Sequence, residues 1–423
     1  MSRFRVAVLM LGALAVAGCT VGAGAPAHSM GVIKLGVDLP LSGDDAPDGL
    51  PAKNAIDLAI KQAGRVCGPS RHPDACFDLQ VISYDDVSQG IHDPAKGATN
   101  VQLLATDARV LAMVGPLYDS LAKSELPGAN PVRLVMVSPG ATNECLTQEP
   151  PDGHCQGLGA KLRPGGPNNF FRVVTTQLVE AEAGADLAFK TLGKRRAFVI
   201  NDQTTFGLGI ATAFVSRFIR DGGTILDPSD LGAFNANQPP AFGSRVQRAV
   251  ELGADVVYFA AAGVGAAASL RREMAARMPQ VPLVGSDRLA SSQFAKSAGA
   301  AARGSYYTVV GPYAAVLRTA QGFTRDYKTT YGHEVGTFSL QAFDATRLLI
   351  AAIARAIDEA GGTLPTRAQV LKEVSLTRDY RGAMGTMGFD AQGDTNLRLI
   401  TGYQWMGAND PAGQFVAQLT IES

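Results

Sequence analysis

From Val32 onward the chain alternates short apolar, β-branched runs with stretches whose apolar residues recur at helical spacing. Such alternation marks βαβ units, in which parallel strands are joined by crossover helices. The first run covers residues 32–39 and passes through Ser42-Gly43 into a helical stretch. There Ile56, Ala59, Ile60 and Ala63 stand at i, i+3, i+4 and i+7, so one face packs on a sheet, and Gly64 is placed to end the helix. A strand over 79–84 runs into Asp85-Asp86, and Asp93-Pro94 then offers an N-cap and a first-turn proline for a second helix. Runs at 110–114 and 134–137 keep the rhythm.

A Gly/Pro/Asn-rich stretch, 150–169, interrupts it, and residues 170–174 restart it. The second series has strand candidates at 197–200, 224–226, 256–260, 282–284 and 306–310. A long amphipathic helix over 340–360 comes far enough along to return to the first unit. The expected architecture is α/β: two doubly wound parallel-sheet lobes, the first from 31–176 plus 312–387 and the second from 177–311 plus 388–423. A chain that crosses between lobes repeatedly makes a hinge of several parallel segments, which lets the lobes close on a ligand without shearing either core. Loops at the carboxyl ends of the strands would face the cleft.

Composition narrows what such a cleft takes. The 423 residues suit two lobes, and 46% hydrophobic with 18% charged residues describes packed globular structure. Lys plus Arg and Asp plus Glu number 38 each, so no uncompensated basic field attracts nucleic acid or an acidic membrane. The expected partner is a small molecule.

Arg3 and Arg5 precede an apolar stretch, 6–16, that is short against the roughly 20 residues of a spanning helix and suited to a secretory signal. Residues 1–18 therefore read as a signal peptide. They lead into Val16-Ala17-Gly18-Cys19, which resembles the lipobox of bacterial lipoproteins, where the cysteine thiol takes the lipid. The expectation is a protein lipid-anchored through Cys19 on the outer face of the cell membrane, with 19–30 a flexible tether reaching roughly 15–20 Å.

The other four cysteines fall into close pairs, Cys67 with Cys76 and Cys145 with Cys155. Export permits disulfides, and each would close a short loop for about 2.5–3 kcal/mol. Neither pair has the spacing of a zinc site, and of the histidines only His72 and His154 lie nearby, so no metal and no cofactor is expected.

Enzyme motifs fit poorly. Gly207-Leu208-Gly209-Ile210-Ala211-Thr212 follows the 197–200 strand, with Asp227 about 20 residues on, as in a dinucleotide-binding unit. Residues 201–206 intervene, however, and Thr212 stands where the third glycine belongs. No Gly-x-Ser-x-Gly elbow occurs, and His333-Glu334 lacks the second histidine of a zinc-protease helix. The chain is not expected to be an enzyme.

A series of short motifs, in order, resembles the type I periplasmic binding proteins, and most of all their leucine/isoleucine/valine-binding branch. They are Ile33-Lys34-Leu35-Gly36 with Leu41-Ser42-Gly43, Tyr84-Asp85-Asp86, Gly115-Pro116-Leu117, Ser138-Pro139-Gly140-Ala141-Thr142, Phe206-Gly207, Phe343-Asp344-Ala345, and Gly388-Phe389-Asp390 with Gly393-Asp394. The resemblance implies a solute-binding protein that delivers an amino acid to an ABC permease and its ATPase. A ligand-sensing receptor component of the same fold is the alternative.

The resemblance also implies a site. First-lobe hydroxyls and backbone N–H groups hold the ligand carboxylate, at positions corresponding to Asp119, Gly140, Ala141 and Thr142, in a loop able to act as an anion nest. The acid that holds the ligand's ammonium corresponds to Asp287, although an Asp at a loop-to-helix boundary also serves as an N-cap. Tyr118, Phe206 and Phe338 would supply aromatic lining. Three positions depart from the family pattern: Asp119 replaces a serine, and Ala262 and Asp48 replace aromatics. A carboxylate at 119 would repel a ligand carboxylate. A roomier, more acidic pocket follows, suited to a larger, cationic or amide ligand.

Overall fold

The computed structural model describes residues 28–150, 153–229, 231–235, 241–410 and 413–422. The signal segment 1–18 and Cys19 lie outside the described residues, as does the tether up to residue 27.

The chain first lays down β1 (Val32–Leu39), α1 (Ala46–Ala63), β2 (Arg65–Cys67), β3 (Cys76–Asp85), the short pair β4 (Val87–Ser88) and β5 (Ile91–His92), α2 (Pro94–Thr106), β6 (Val110–Val114), α3 (Asp119–Ala129), β7 (Val135–Ser138), α4 (Leu158–Lys161) and β8 (Phe170–Arg172). It then builds α5 (Gln177–Asp186), β9 (Arg196–Asn201), α6 (Thr205–Arg220), β10 (Thr224–Leu226), α7 (Gly243–Glu251), β11 (Val256–Ala260), α8 (Val264–Arg277), β12 (Leu283–Gly285), α9 (Ser292–Ala298) and β13 (Ser305–Val310). Three helices follow, α10 (Gln321–Tyr331), α11 (Ser339–Glu359) and α12 (Arg367–Ser375), with the ribbon β14 (Tyr380–Arg381) and β15 (Thr386–Met387). Finally come β16 (Leu399–Gln404) and β17 (Gln414–Thr420).

These strands form two large sheets. The first has the order β2-β3-β1-β6-β7-β8, the second β10-β9-β11-β12-β13-β16-β17. Every pairing from β3 through β8, and from β10 through β13, is parallel. Parallel strands covered by helices on both faces must be apolar on both, which is why β6 and β11 read as unbroken apolar runs and are buried at every position.

Helix α11 returns to the first sheet, as its place along the chain implied. Leu349, Ile353 and Ala356 join Ile56 and Ala59 of α1 and Leu35 and Val37 of β1 in one core. Each such Leu or Ile contributes about 1.5–3 kcal/mol by leaving water. Local signals also hold: Asp93 caps α2 by accepting the N–H groups of Ala95 and Lys96, and Gly64 ends α1 in a positive-φ conformation of 62°.

Two features depart from the expected all-parallel lobes. β2 pairs antiparallel with β3 and places Cys67 opposite Cys76, where the disulfide forms. β16 and β17 extend the second sheet antiparallel beyond β13. Both lie toward sheet edges, where exposed positions such as Arg65 and Gln414 interrupt the apolar run. The second cysteine pair, Cys145–Cys155, is also bonded and closes the loop after β7.

Candidate functional site

Apart from Phe338, which lies between α10 and α11, the sequence-derived site residues lie at the carboxyl ends of parallel strands or directly after them, from both sheets, as the rule for open α/β sheets requires. Ser138 ends β7, Tyr118 and Asp119 open α3 after β6, and Asp287 follows β12.

The loop after β7 differs from the expectation. Ser138 Oγ donates to the Pro116 carbonyl (2.6 Å) and accepts the N–H groups of Gly140 (3.3 Å) and Ala141 (2.9 Å). Asp119 Oδ1 accepts the next two, from Thr142 and Asn143, each at 2.9 Å. Four successive donors that would form an anion nest are thus engaged by the protein itself. The physical reason is the side chain at 119: its carboxylate fills the position that a ligand anion would take. Ala141 is committed twice over, since its methyl is buried in the core beside Leu146.

The rest of this wall is aromatic and acidic. Tyr118 donates its hydroxyl to Asp48 Oδ2 (2.9 Å), and its ring stacks on His92 at 4.2 Å. Burial pushes the Asp48 carboxyl up, with the Tyr118 hydrogen bond opposing. His92 Nδ1 lies 2.8 Å from Asp45 Oδ2. Phe338 precedes α11 in a left-handed conformation (φ 57°) and lays its ring against Gly140. A Cβ at Gly140 would come within 3.1 Å of that ring and 2.8 Å of the Leu117 carbonyl, so only glycine fits there.

On the second wall Asp287 opens a short 3₁₀ turn, Asp287–Ala290. The cap of that turn is Ser286, whose side chain accepts the Arg288 N–H, so Asp287 is not spent as an N-cap. Its side chain keeps 37% exposure, with Arg288 Nε 3.8 Å away, and the Arg288 guanidinium sits 5.5 Å over the Phe206 ring. Burial pushes the Asp287 carboxyl up; Arg288 opposes this, and Asp119 on the other wall adds to it.

Behind Asp287 stand two residues that the sequence did not single out for the site. Glu180 of α5 accepts the Asp287 N–H (2.9 Å) and the Thr308 hydroxyl (3.1 Å). Its side chain is buried, and burial first, then Asp287, holds its carboxyl well above the usual range. Trp405, fully buried, donates Nε1 to the Leu289 carbonyl within the same turn (2.7 Å). Arg288 also escaped the sequence reading, although its adjacency to Asp287 was a signal. Glu180 carried none, being one acid in a helical stretch.

Of the departing positions, Ala262 donates its N–H to Asp202 Oδ2 (3.2 Å) at the end of β9. Asp202 and the Ala260 carbonyl crowd Gly207, where a Cβ would meet them at 2.1 and 2.6 Å. That close packing accounts for the glycine in the dinucleotide-like stretch.

Other concave or ligand-rich places fit less well. A hollow of about 670 Å³, lined in part by Lys194, Arg271, Pro282 and Gly304, lies at the amino ends of β9, β12 and β13. Another, of about 450 Å³, lies between α12 and Phe171. Neither includes a carboxyl-end loop of the cleft. Glu144, Cys145, His154 and Cys155 bring ligand atoms within 4.8 Å of one another, but both sulfurs are held in the disulfide.

The family model for periplasmic binding proteins matches residues 32–410. The chain belongs to the periplasmic binding protein family. It is a binding protein rather than an enzyme, and the family works outside the cytoplasm. Among the described residues no helix is long and apolar enough to cross a membrane. The chain is similar to a Leu/Ile/Val-binding protein homolog 3 of Brucella melitensis, 23% identical over 377 residues, 88% of this chain and 91% of that one. A branched-chain amino acid transporter substrate-binding protein of Streptococcus pneumoniae, solved with isoleucine, shares the fold at a TM-score of 0.65, 19% identical over 92% of this chain and 99% of that one. An ABC-transporter solute-binding protein of Rhodopseudomonas palustris, solved with 3,4-dihydroxybenzoic acid, does so at 0.62, 18% identical over 92% and 96%.

Proposed function

We propose that this protein is the solute-binding lipoprotein of an ABC importer, anchored through Cys19, and that it carries an amino acid or a related larger or amide ligand to a permease and its ATPase. The lobes would run 31–176 plus 312–387 and 177–311 plus 388–423, closing on the ligand about the segments between them. The observation that carries this reading is that loops at carboxyl ends of parallel strands in both sheets carry the site residues, Asp119 after β6 and Asp287 after β12. Relatives named for leucine, isoleucine and valine, and the isoleucine-bound structure, support an amino-acid-like ligand. The aromatic acid held by the Rhodopseudomonas protein indicates that this fold serves other ligands too.

A thermal-shift screen of amino acids, amides, polyamines and small aromatic acids tests the reading, since a ligand at 100 times its Kd stabilises by about 2.7 kcal/mol. Asp287→Ala should weaken a cationic ligand by about 2–5 kcal/mol while the fold survives. Unchanged affinity would remove Asp287 from the site. Metabolic labelling with a fatty acid tests the anchor: Cys19→Ala should abolish it, and equal labelling of both forms would refute it.

A further inference from the structure

Resting on the cleft being the solute site, we propose that the first lobe receives a cationic group of the ligand at Asp119 and not a carboxylate, so that the solute is an organic cation without a free α-carboxylate. The argument begins with the donors. Gly140, Ala141, Thr142 and Asn143 direct all four of their N–H groups to Ser138 and Asp119. An entering carboxylate finds no backbone donor there unless those bonds break.

Asp119 answers the opposite charge. Its Oδ1 takes both N–H groups, which fixes the carboxylate plane, while Oδ2 accepts no hydrogen bond from any described residue. The side chain is partly exposed where α3 begins at the end of β6. A preoriented carboxylate with a free oxygen is a receptor for an ammonium or amidinium, and charge-assisted bonds of this kind are the strong ones.

The opposite wall agrees. Asp287, in the turn after β12, keeps a partly exposed carboxylate with Arg288 3.8 Å away. One guanidinium offsets one of the two carboxylates, Asp119 and Asp287, leaving a net negative charge. A ligand carboxylate about 4 Å from Asp119 would lose roughly a hundred- to a thousandfold in affinity by like-charge repulsion at a surface-like dielectric. An amine in the same place gains by the same interaction. A diamine satisfies both walls, and an α-amino amide satisfies Asp119 with an uncharged far end.

Calorimetric titration of the mature protein with L-leucine, L-leucinamide and 1,5-diaminopentane tests this. At least one of the two cations should bind tenfold or more tightly than leucine. Asp119→Asn keeps an oxygen for the Thr142 and Asn143 donors but removes the charge, and should weaken that cation at least tenfold with an unchanged melting curve. Asp119→Ser should free the two N–H groups and raise leucine affinity at least tenfold. Tighter binding of leucine than of both cations, no binding of either cation, or equal cation affinity in Asp119→Asn would each overturn the proposal. The cleft assignment fails separately: a cation bound equally well by wild type, Asp287→Ala and Phe206→Ala would lie outside it.

Discussion

Arg172 and Asp394 lie 222 residues apart in the chain and meet in a 2.6 Å ion pair, with Arg172 fully buried. The pair supports the site from behind. Arg172 Nη1 donates to the carbonyls of Ala141 (3.2 Å) and Asn143 (2.8 Å), and Asp394 accepts the Thr147 hydroxyl (2.8 Å). The loop whose N–H groups face Ser138 and Asp119 thus has its carbonyls held by a guanidinium. Removing one partner of such a pair leaves a buried charge uncompensated, so Arg172→Ala should cost about 3–5 kcal/mol in urea denaturation. A cost below about 1 kcal/mol would mean that the pair is wet and weak.

Stability should fall as pH rises, because of a buried acidic group beneath the first wall. Asp38, Asp86 and Glu125 are fully buried. Burial, then mutual repulsion, pushes Glu125 well up; burial foremost takes Asp38 to about 8 and Asp86 to about 7. The folded state then holds more protons than the unfolded one above the ordinary carboxylate range. By linkage, this contribution is full below about pH 4 and is lost as pH rises toward about 8. Glu125→Gln should therefore be near neutral at pH 5 and stabilise by roughly 1–3 kcal/mol at pH 8. A difference that does not change with pH would show that these groups ionise normally.

Glu180 offers a test of charge state through substitution. Its Oε1 is the acceptor for the Asp287 N–H and the Thr308 hydroxyl, and a glutamine retains such an oxygen. If the buried carboxyl is neutral, Glu180→Gln should change stability by less than about 0.5 kcal/mol, whereas Glu180→Ala should cost about 1–3 kcal/mol for two stranded donors. Melting curves at pH 7 separate the two. A large loss in the glutamine variant would point to an ionised Glu180.

Both disulfides should be present in the protein taken from its own compartment. Peptide mapping without reduction should recover Cys67–Cys76 and Cys145–Cys155, the pairs that the structure joins. Cys67→Ser with Cys76→Ser should cost about 2.5–3 kcal/mol. Free thiols at all four positions would refute the linkage.

What could be read in advance follows burial. Val110–Val114 and Val256–Ala260, buried at every position, coincide with the strands read from the sequence. β17, at the sheet edge, and β16 beside it escaped notice because Tyr403, Gln404, Gln414 and Phe415 stand at half-buried or exposed positions that break an apolar run. The motifs around them singled out Asp119 and Asp287, which stand after the carboxyl ends of β6 and β12. The engagement of Asp119 with Thr142 and Asn143 was not legible, because it depends on how the start of α3 meets a loop 23 residues further on. Glu180 was invisible for the same reason: its partner Asp287 is 107 residues away.

The hydrogen bond from Trp405 to Leu289 gives the protein a built-in optical reporter. Trp405 is the only tryptophan in the 423 residues, and its indole touches the turn that Asp287 begins. Emission excited selectively at the red edge of the absorption band comes from this one ring, without competing indoles elsewhere. Any solute that shifts the Asp287 turn alters the field at that indole, so occupancy can be followed by intrinsic fluorescence in unlabelled protein.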